Sequence, residues 1–196
     1  MRKKTALEGG AQFPLSNRLY RLTWIVTWFV LCRWTPRQLD FWRRWVLTLF
    51  GATMGERSDV RATARVWNPR NLIMEERTLI GPGVNCYNVA KVTVKRGAIV
   101  SQRTHLCTAS HDVDNPAFPL VFRDIEVGEN AWIAAEAFVG PGVSIGANAV
   151  LGARACAFRD IPIGEVHSGN PAQKIRDRKL GAKSPAHKSD TPSQAR

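Results

Sequence analysis

Apolar residues recur at every sixth position between residues 127 and 163, at Val127, Ile133, Val139, Ile145, Leu151, Ala157 and Ile163. An amphipathic helix repeats its apolar residues every three or four positions and a half-buried strand every second position, so a period of six fits neither. A second series runs two residues ahead, from Ile125 to Ile161, and contains only aliphatic or small residues. Because alternate residues of a strand share one face, both series can point into one narrow core.

Glycine follows the apolar residue in five of these hexapeptides, at Gly128, Gly140, Gly146, Gly152 and Gly164. Glycine here is typical of a sharp corner, where the backbone needs conformational freedom. Each hexapeptide then supplies a short strand and a turn, three of them close a triangular coil, and stacked coils bury a continuous core. The pattern therefore predicts a mainly β fold, a parallel β-helix built from hexapeptide repeats.

The repeat predicts a β-helix domain over residues 52–172, with a weaker pattern in its first half whose phase shifts near residues 89–91. The stretch 112–124 has no period of six and contains Pro116 and Pro119, so we expect a loop extruded from the β-helix. Long loops in compact domains often serve function, and this loop is a candidate lid or acceptor-site wall.

The segment before the repeats, residues 17–51, is aromatic and basic, and a proline divides it into two predicted helices over residues 17–34 and 37–50. Its apolar run is too short to span a bilayer. Two alternatives remain open. The helices can lie in a membrane interface through their Trp and Arg side chains, or they can cap the first coil or pack against a neighbouring subunit. We expect residues 1–16 to form a flexible N-terminus.

The chain has 196 residues and a formal net charge of +12, which is concentrated at its two ends. Residues 1–50 contain nine Lys and Arg against two acidic residues, and residues 174–196 contain seven against two. The repeats between them are neutral, with twelve basic and twelve acidic residues, and no nucleic-acid-binding motif is present. The charge therefore favours anionic lipid or a polyphosphate co-substrate over nucleic acid. For residues 173–196 we expect a C-terminal helix followed by a basic, partly disordered tail.

The cysteine and histidine positions restrict the chemistry further. The four cysteines lack paired spacing and no secretory signal precedes the repeats, which indicates free thiols in a reducing cytoplasm. His105, Cys107 and His111 lack a convincing fourth ligand, so we expect no metal site. His111 lies at the edge of a rigid coil beside the extruded loop, where a general base is well placed to accept a hydroxyl proton.

Several motifs together resemble the hexapeptide acetyltransferases of the galactoside and maltose type: SHD at Ser110–Asp112, WIAA at Trp132–Ala135 and SGNPAQKIR at Ser168–Arg176. The N-terminal stretch WTPRQLDFWRRWVLTLFGA, with NCYN and CTASHD, is most similar to the acetyltransferases of colanic-acid biosynthesis. The resemblance covers roughly residues 17–180. It implies a left-handed β-helix that forms a homotrimer, with active sites in the clefts between subunits and acetyl-CoA along the coils.

The resemblance also implies roles for individual residues. His111 would deprotonate the acceptor hydroxyl, and Asn85 and Tyr87 would bind the acceptor. The donor acetyl-CoA would contact residues along the later coils and the C-terminal segment: Trp132, Ala135, Ala153, Phe158, Arg159, Lys174 and Arg176. The backbone N–H near Ala135 would meet the oxyanion, and Lys174 and Arg176 would approach the phosphates. Gln173 stands where the family often has a basic residue.

The resulting hypothesis is an acetyl-CoA-dependent O-acetyltransferase that acts on a sugar hydroxyl in exopolysaccharide or surface-glycan biosynthesis. We expect it in the cytoplasm, in peripheral contact with the inner face of the membrane. Direct transfer is favoured over an acyl-enzyme because Cys107 is expected to point into the coil. Two alternatives remain: a non-catalytic trimeric scaffold associated with membrane, and a γ-carbonic-anhydrase-like metalloenzyme, which would need several histidines across a subunit interface.

Overall fold

The structure, a computed structural model, describes residues 13–181 of the chain. Two helices, α1 at Leu15–Leu31 and α2 at Asp40–Leu49, precede a parallel β-helix of five complete coils and the start of a sixth. Single 3₁₀ turns lie at Arg37–Leu39 and Pro69–Asn71. This architecture confirms the predicted fold class, a mainly β solenoid with an N-terminal helical segment.

Each complete coil contributes three short strands, one to each side of a triangular prism. In chain order the strands are β1 Thr53–Met54, β2 Asp59–Val60, β3 Arg65–Val66, β4 Leu72–Met74, β5 Leu79–Ile80, β6 Asn85–Tyr87, β7 Val92–Val94, β8 Ile99–Val100, β9 His105–Cys107, β10 Ala109–His111, β11 Leu120–Phe122, β12 Ile125–Val127, β13 Trp132–Ile133, β14 Phe138–Val139, β15 Ser144–Ile145, β16 Val150–Leu151, β17 Cys156–Ala157, β18 Glu165–Ser168 and β19 Gln173–Asp177. Strands at the same place in successive coils pair in parallel, which produces three sheets.

The order of strands defines these sheets. The first sheet is β1-β4-β7-β12-β15, the second is β2-β5-β8-β13-β16-β18, and the third is β3-β6-β9-β14-β17. The predicted inward series form the core between them, because the residues of both series from Ile125 to Ile161 are at most 2% exposed. Ile163, predicted to continue the series, is 74% exposed. The register changes in the last coil, because Ile161 pairs with Ile145 in the place that the period of six predicts for Ile163.

Coil length explains the phase shift near residues 89–91. In the first three coils a residue pairs with the residue 20 positions later, as Arg65 does with Asn85, whereas in the last coils the offset is 18, as between Phe138 and Cys156. The corner after the third sheet holds the extra residues. There the buried Asn88 side chain accepts the N–H of Asn68 at 3.0 Å and donates to the carbonyl of Asn68 at 2.7 Å.

Glycine at two of the corners has a different cause from the one expected, whereas Gly164 has a positive φ of 70° as a sharp corner requires. Gly128 and Gly146 have no positive φ, but a Cβ on either would lie 2.6 Å from backbone nitrogen of the next coil. The left-handed residue comes two positions after the glycine, as at Asn130 and Asn148. The glycines are therefore required by the close approach of stacked coils, and the expectation of backbone freedom at Gly128 and Gly146 was wrong.

The chain leaves the prism once, between the third and fourth coils. Strands β10 and β11 pair antiparallel, with Ala109 opposite Phe122 and His111 opposite Leu120. Residues 112–119 join them, so the excursion is a β-hairpin that carries His111 on its first strand. This excursion lengthens the offset between His105 and its partner Phe138 to 33 residues.

Both helices pack on the first coil. The indole Nε1 of Trp24 donates to the carbonyl of Val66 at 2.7 Å, which anchors α1. On α2 the side chain of Arg43, only 1% exposed, donates to the carbonyl of Val60 at 2.9 Å and pairs with Asp59 at 3.0 Å. The helices thus cover the end of the core, as a solenoid requires.

The C-terminal segment differs from the prediction. Residues 173–177, expected to begin a helix, form strand β19, which pairs antiparallel with β18. The edge of the second sheet offers unpaired backbone groups, and this pairing satisfies them. The predicted tail at 182–196 and most of the predicted N-terminus, residues 1–12, lie outside the described residues. Within residues 13–181, no helix is both long enough and apolar enough to cross a membrane.

Candidate active site

His111 is held on the hairpin by two contacts with Phe118. Its Nδ1 lies 2.9 Å from the carbonyl oxygen of Phe118, and its ring stacks on the Phe118 ring with centroids 4.4 Å apart and planes within 6°. Because a carbonyl oxygen can only accept, Nδ1 carries the proton and the neutral ring has Nε2 as its acceptor nitrogen. The arrangement can accept a proton from a bound hydroxyl.

Asn85 lies on the outer face of the third sheet beside His105. The two residues are directly paired in register, and Asn85 Nδ2 is 3.3 Å from His105 Nε2. Since the amide nitrogen donates, His105 Nε2 accepts, and the Oδ1 of Asn85 remains an acceptor. Burial lowers the pKa of His105, which favours this neutral form. From the sequence, His105 was considered only as a candidate metal ligand. The coil length of 20 residues, which places His105 beside Asn85, could have identified this pair.

Tyr87 belongs to the same strand and contacts an aromatic cluster. Its ring meets the Trp67 ring edge-on, with centroids 5.6 Å apart. The guanidinium of Arg21, from α1, lies 3.7 Å from the centroid of Trp67. Tyr87 is half-buried, so part of its ring remains open to a ligand.

A second group of predicted residues lies on the second sheet and on the corner that follows it. Trp132 projects outward, 44% exposed, and its Nε1 donates to the Oγ of Ser101 at 2.9 Å. Ala135 and Ala153 occupy the same corner in successive coils, and the carbonyl of Ala135 accepts the N–H of Arg154 at 2.9 Å. Among the hydrogen bonds of residues 13–181, the N–H of Ala135 has no acceptor.

Charged side chains surround this corner. Glu136 accepts from Arg154 at 2.7 Å and lies 3.5 Å from Arg103. The hydrogen bond from Arg154, with its positive charge, lowers the pKa of Glu136. The two arginines therefore face the corner with one carboxylate between them, which leaves a net positive charge beside Ala135.

The predicted phosphate-binding residues differ in their existing partners. Lys174 pairs with Glu165 at 2.7 Å and with Asp177 at 2.8 Å, so its charge is already matched. Arg176 is exposed and donates only to the backbone carbonyl of Asp177 within the described residues. Arg178, near both, donates to two carbonyls of the coil corners and is structural. Arg176 is thus the more available cation.

Phe158 and Arg159 follow the last strand of the third sheet. Phe158 is 58% exposed and its ring lies 5.6 Å from the ring of Phe138. Arg159 is exposed. These residues extend an aromatic row along the third sheet, in which Phe138 also contacts His105 edge-on at 5.5 Å.

The predicted residues therefore lie on more than one side of the prism, and Phe158 and Arg159, predicted for the donor, follow the third sheet. Asn85, Tyr87 and the hairpin with His111 belong to the third sheet and its edge, whereas Trp132 projects from the second sheet. Outward side chains on adjacent sides of a triangular prism point away from each other. One chain alone does not bring the predicted base and the tryptophan of the donor cleft together.

The cysteines are unpaired, and one expectation about them was wrong. Cys107 does not point into the coil: it is half-buried beside Tyr87, and its thiol donates to the carbonyl of Ala109 at 3.1 Å. The inward cysteine is Cys86, where burial raises the thiol pKa to about 12. Side chains alternate along β9, so Leu106 points into the core and Cys107 points outward.

Residues 13–181 contain no group of three or more His, Cys, Asp and Glu side chains arranged to hold a metal ion. His105 and His111, predicted not to form a metal site with Cys107, make separate contacts with Asn85 and with Phe118.

Comparison with known proteins identifies relatives. No protein-family model matches the chain. A protein named as a colanic acid biosynthesis acetyltransferase, WcaF, of Escherichia coli strain K12 is 36% identical over 166 residues, which cover 85% of this chain and 91% of that protein. A hexapeptide-repeat acetyltransferase of Vibrio cholerae, solved in complex with acetyl-CoA, matches the structure with a TM-score of 0.75 at 21% identity, over 91% of this chain and 97% of that one. A galactoside acetyltransferase in complex with CoA matches with a TM-score of 0.72 at 21% identity, over 87% and 86%.

The hexapeptide β-helix, together with the similarity to WcaF over most of both chains, identifies the class as acyltransferase. The chain belongs to the hexapeptide-repeat acetyltransferases.

Proposed function

We propose that the chain transfers the acetyl group of acetyl-CoA to a sugar hydroxyl, with His111 as the general base. The observation that carries the proposal is the orientation of this ring: Nδ1 donates to Phe118, so Nε2 is free to accept a proton. The solved structures that resemble the chain include complexes with acetyl-CoA and with CoA. The relationship to WcaF supports an acceptor in exopolysaccharide or surface-glycan biosynthesis.

The proposed step is direct transfer. His111 Nε2 takes the hydroxyl proton as the sugar oxygen attacks the thioester carbonyl, and a tetrahedral oxyanion forms. The N–H of Ala135 donates to that oxyanion. The C–S bond then breaks, the acetyl ester remains on the sugar, and His111 returns its proton to the CoA thiolate. Cys107 is not needed as a nucleophile, since its thiol is hydrogen-bonded to Ala109.

The acceptor and donor would approach from different chains of a homotrimer. Asn85 Oδ1 and Tyr87 offer an acceptor atom and an aromatic surface to a sugar. Trp132, Ala153, Phe158 and Arg159 would line the acyl-donor cleft, and Arg176 and Lys174 would bind its phosphates. The position of Trp132 on a different side of the prism from Asn85 supports this arrangement, because the third sheet of one chain can face the second sheet of the next. Phe158 and Arg159, which follow the third sheet, would then contact the donor from the acceptor side of the cleft.

Acetyl transfer to sugars tests the proposal. The protein is incubated with radiolabelled acetyl-CoA and a panel of glycan acceptors, and ester formation is measured in single turnover. We expect His111→Gln to lower the rate by about 10²–10⁴-fold while acetyl-CoA affinity and thermal stability are retained. Ser110→Ala, at the exposed neighbouring position, serves as the matched control. Full activity of His111→Gln would exclude the proposed base.

We also propose that α1 holds the enzyme at the inner face of a membrane. Its outer face carries exposed apolar side chains that together make a continuous surface: Leu15, Leu19, Leu22, Val26, Phe29 and Val30. Arg18 lies on α1 and Arg33 follows its C-terminal end, and α1 contains no acidic residue. An apolar face flanked by cations and by the exposed Trp34 suits an anionic lipid surface.

Vesicle sedimentation tests this contact. We expect the protein to pellet with vesicles of phosphatidylglycerol and much less with phosphatidylcholine, and Leu22→Glu to abolish pelleting. Thr23→Glu, exposed on the neighbouring position of the same helix, adds the same charge and should have a small effect. If neither the unmodified protein nor Leu22→Glu binds vesicles, and Leu22→Glu dissociates the oligomer, the apolar face of α1 is a subunit contact and the proposal is wrong.

A further inference from the structure

A cavity of about 500 Å³ lies between α1 and the third sheet, at the end of the β-helix nearest the helices. We call it the helix pocket. Trp24, Trp28 and Phe29 of α1 form one wall, and Arg65 and Asn85 belong to the opposite one. Asn85 thus lines both this pocket and the proposed acceptor site, so a ligand in the helix pocket would be continuous with a sugar bound there.

The aromatic wall offers almost no hydrogen-bonding groups. Trp24 Nε1 donates to the carbonyl of Val66 at 2.7 Å, and Trp28 Nε1 donates to the carbonyl of Ala62 at 3.2 Å. The hydroxyl of Thr63 accepts the N–H of Gly83 at 3.0 Å. Both indoles of α1 therefore present only their ring carbons to the pocket, and a third lining indole, Trp67, lies under the guanidinium of Arg21. The wall formed by α1 suits a hydrocarbon chain.

The polar part of the pocket is cationic. Arg21, Arg33 and Arg65 line it, and no ion pair among residues 13–181 involves any of them. The Nε of Arg21 is buried and has no hydrogen-bond partner within the same residues. Burial also lowers the pKa of Arg21, because its charge is partly removed from water. An anionic group in the pocket would compensate the charges of these arginines.

We propose that the helix pocket binds the prenyl phosphate portion of a lipid-linked sugar, and so selects a lipid-linked acceptor for acetylation. The hydrocarbon lies against the wall of α1, the phosphate oxygens accept from the arginines, and the attached sugar lies at Asn85. This inference rests on the proposed transfer to a sugar hydroxyl. The pocket is lined by Phe29, which is also part of the exposed apolar face of α1, so the lipid chain has an apolar route out of the protein.

Calorimetric titration of the full-length protein with farnesyl diphosphate tests the inference. We expect saturable binding near one site per chain. Farnesol and inorganic diphosphate, which each lack one half of the ligand, should bind at least about tenfold more weakly. UDP, which carries a diphosphate on a nucleoside, should also bind more weakly than farnesyl diphosphate.

Variants locate the site. The double variant Arg33→Ala/Arg65→Ala removes two exposed arginines of the pocket and should weaken farnesyl diphosphate about tenfold or more. Arg37→Ala, at an exposed arginine of the N-terminal segment outside the pocket, should leave the affinity unchanged. An equal loss in Arg37→Ala would overturn the inference, because it would indicate non-specific charge attraction.

The remaining outcomes separate this inference from the proposed function. The same samples are titrated with acetyl-CoA. If acetyl-CoA binds and farnesyl diphosphate does not, or if UDP binds as tightly, the lipid pocket is wrong and the acetyltransferase proposal stands. If neither acetyl-CoA nor farnesyl diphosphate binds, the proposed function fails as well.

Discussion

The two histidines of the third-sheet region differ in what surrounds them. His111 lies on the hairpin and is oriented by the carbonyl and ring of Phe118. His105 lies on the prism itself, half-buried between Asn85 and Phe138. The first arrangement leaves one nitrogen for chemistry, whereas the second uses a nitrogen to orient an amide. Both histidines lie near a loop in the sequence. The sequence alone therefore does not distinguish a general base from a residue that orients Asn85.

Burial of His105 predicts a pH dependence of stability. Its pKa is lowered in the folded protein, so the unfolded chain takes up the proton at higher pH than the folded chain does. Stability should therefore fall as the pH decreases through the ordinary histidine range near about 6.5 and level off below the folded pKa. We expect His105→Gln, which keeps an acceptor for Asn85 and cannot titrate there, to lose less thermal stability between pH 7 and pH 5. Parallel profiles for both proteins would contradict this assignment.

At the scale of elements, stacking of the coils makes specific glycines necessary. A Cβ on Gly128 would lie 2.6 Å from the backbone nitrogen of Ala147, and backbone has little freedom to move away. On Gly140 the nearest atom would be 3.3 Å away. We expect Gly128→Ala to lower the melting temperature by about 5 °C and Gly140→Ala by clearly less, as overpacking requires. Equal melting temperatures of Gly128→Ala and the unmodified protein would contradict this prediction, because they would show that the stacked coils accommodate a Cβ at this position.

Elements with a strong period are predictable, and those without one are not. The inward series from Ile125 to Ile161 identifies the β-helix because its spacing has no other simple cause. Strand β19 is exposed along its whole length, so burial gives its sequence no alternation to detect, and its pairing with β18 depends on an edge formed by distant residues. The partner of His111 was missed for a similar reason, since Phe118 meets it only through the hairpin.

The contacts of the N-terminal helices are also not predictable from the sequence. The sequence predicts two aromatic, basic helices, and Pro36 locates the break between them. It does not say which aromatic residues face inward, because buried Trp24 and exposed Trp34 occur in similar surroundings along the chain. The hydrogen bond from Trp24 to Val66 joins residues 42 positions apart and becomes visible only with the fold.

At the scale of the whole molecule, the proposed active site depends on the assembly of several chains. Trp132, proposed for the donor cleft, lies on a different side of the prism from Asn85, so the proposed active site requires adjacent chains. We expect a trimer by analytical ultracentrifugation. A monomer that nevertheless shows full transfer activity would contradict a site shared between chains.

The most direct test of the central claim is calorimetric titration of the purified protein with acetyl-CoA, since it requires no knowledge of the acceptor. We predict saturable binding near one site per chain. The affinity should be about tenfold weaker in Arg176→Ala and unchanged in Arg18→Ala, because a charge-assisted phosphate contact is lost only in the first variant. Absence of binding to a folded protein, with normal thermal unfolding, would contradict the assignment as an acetyl-CoA-dependent acetyltransferase.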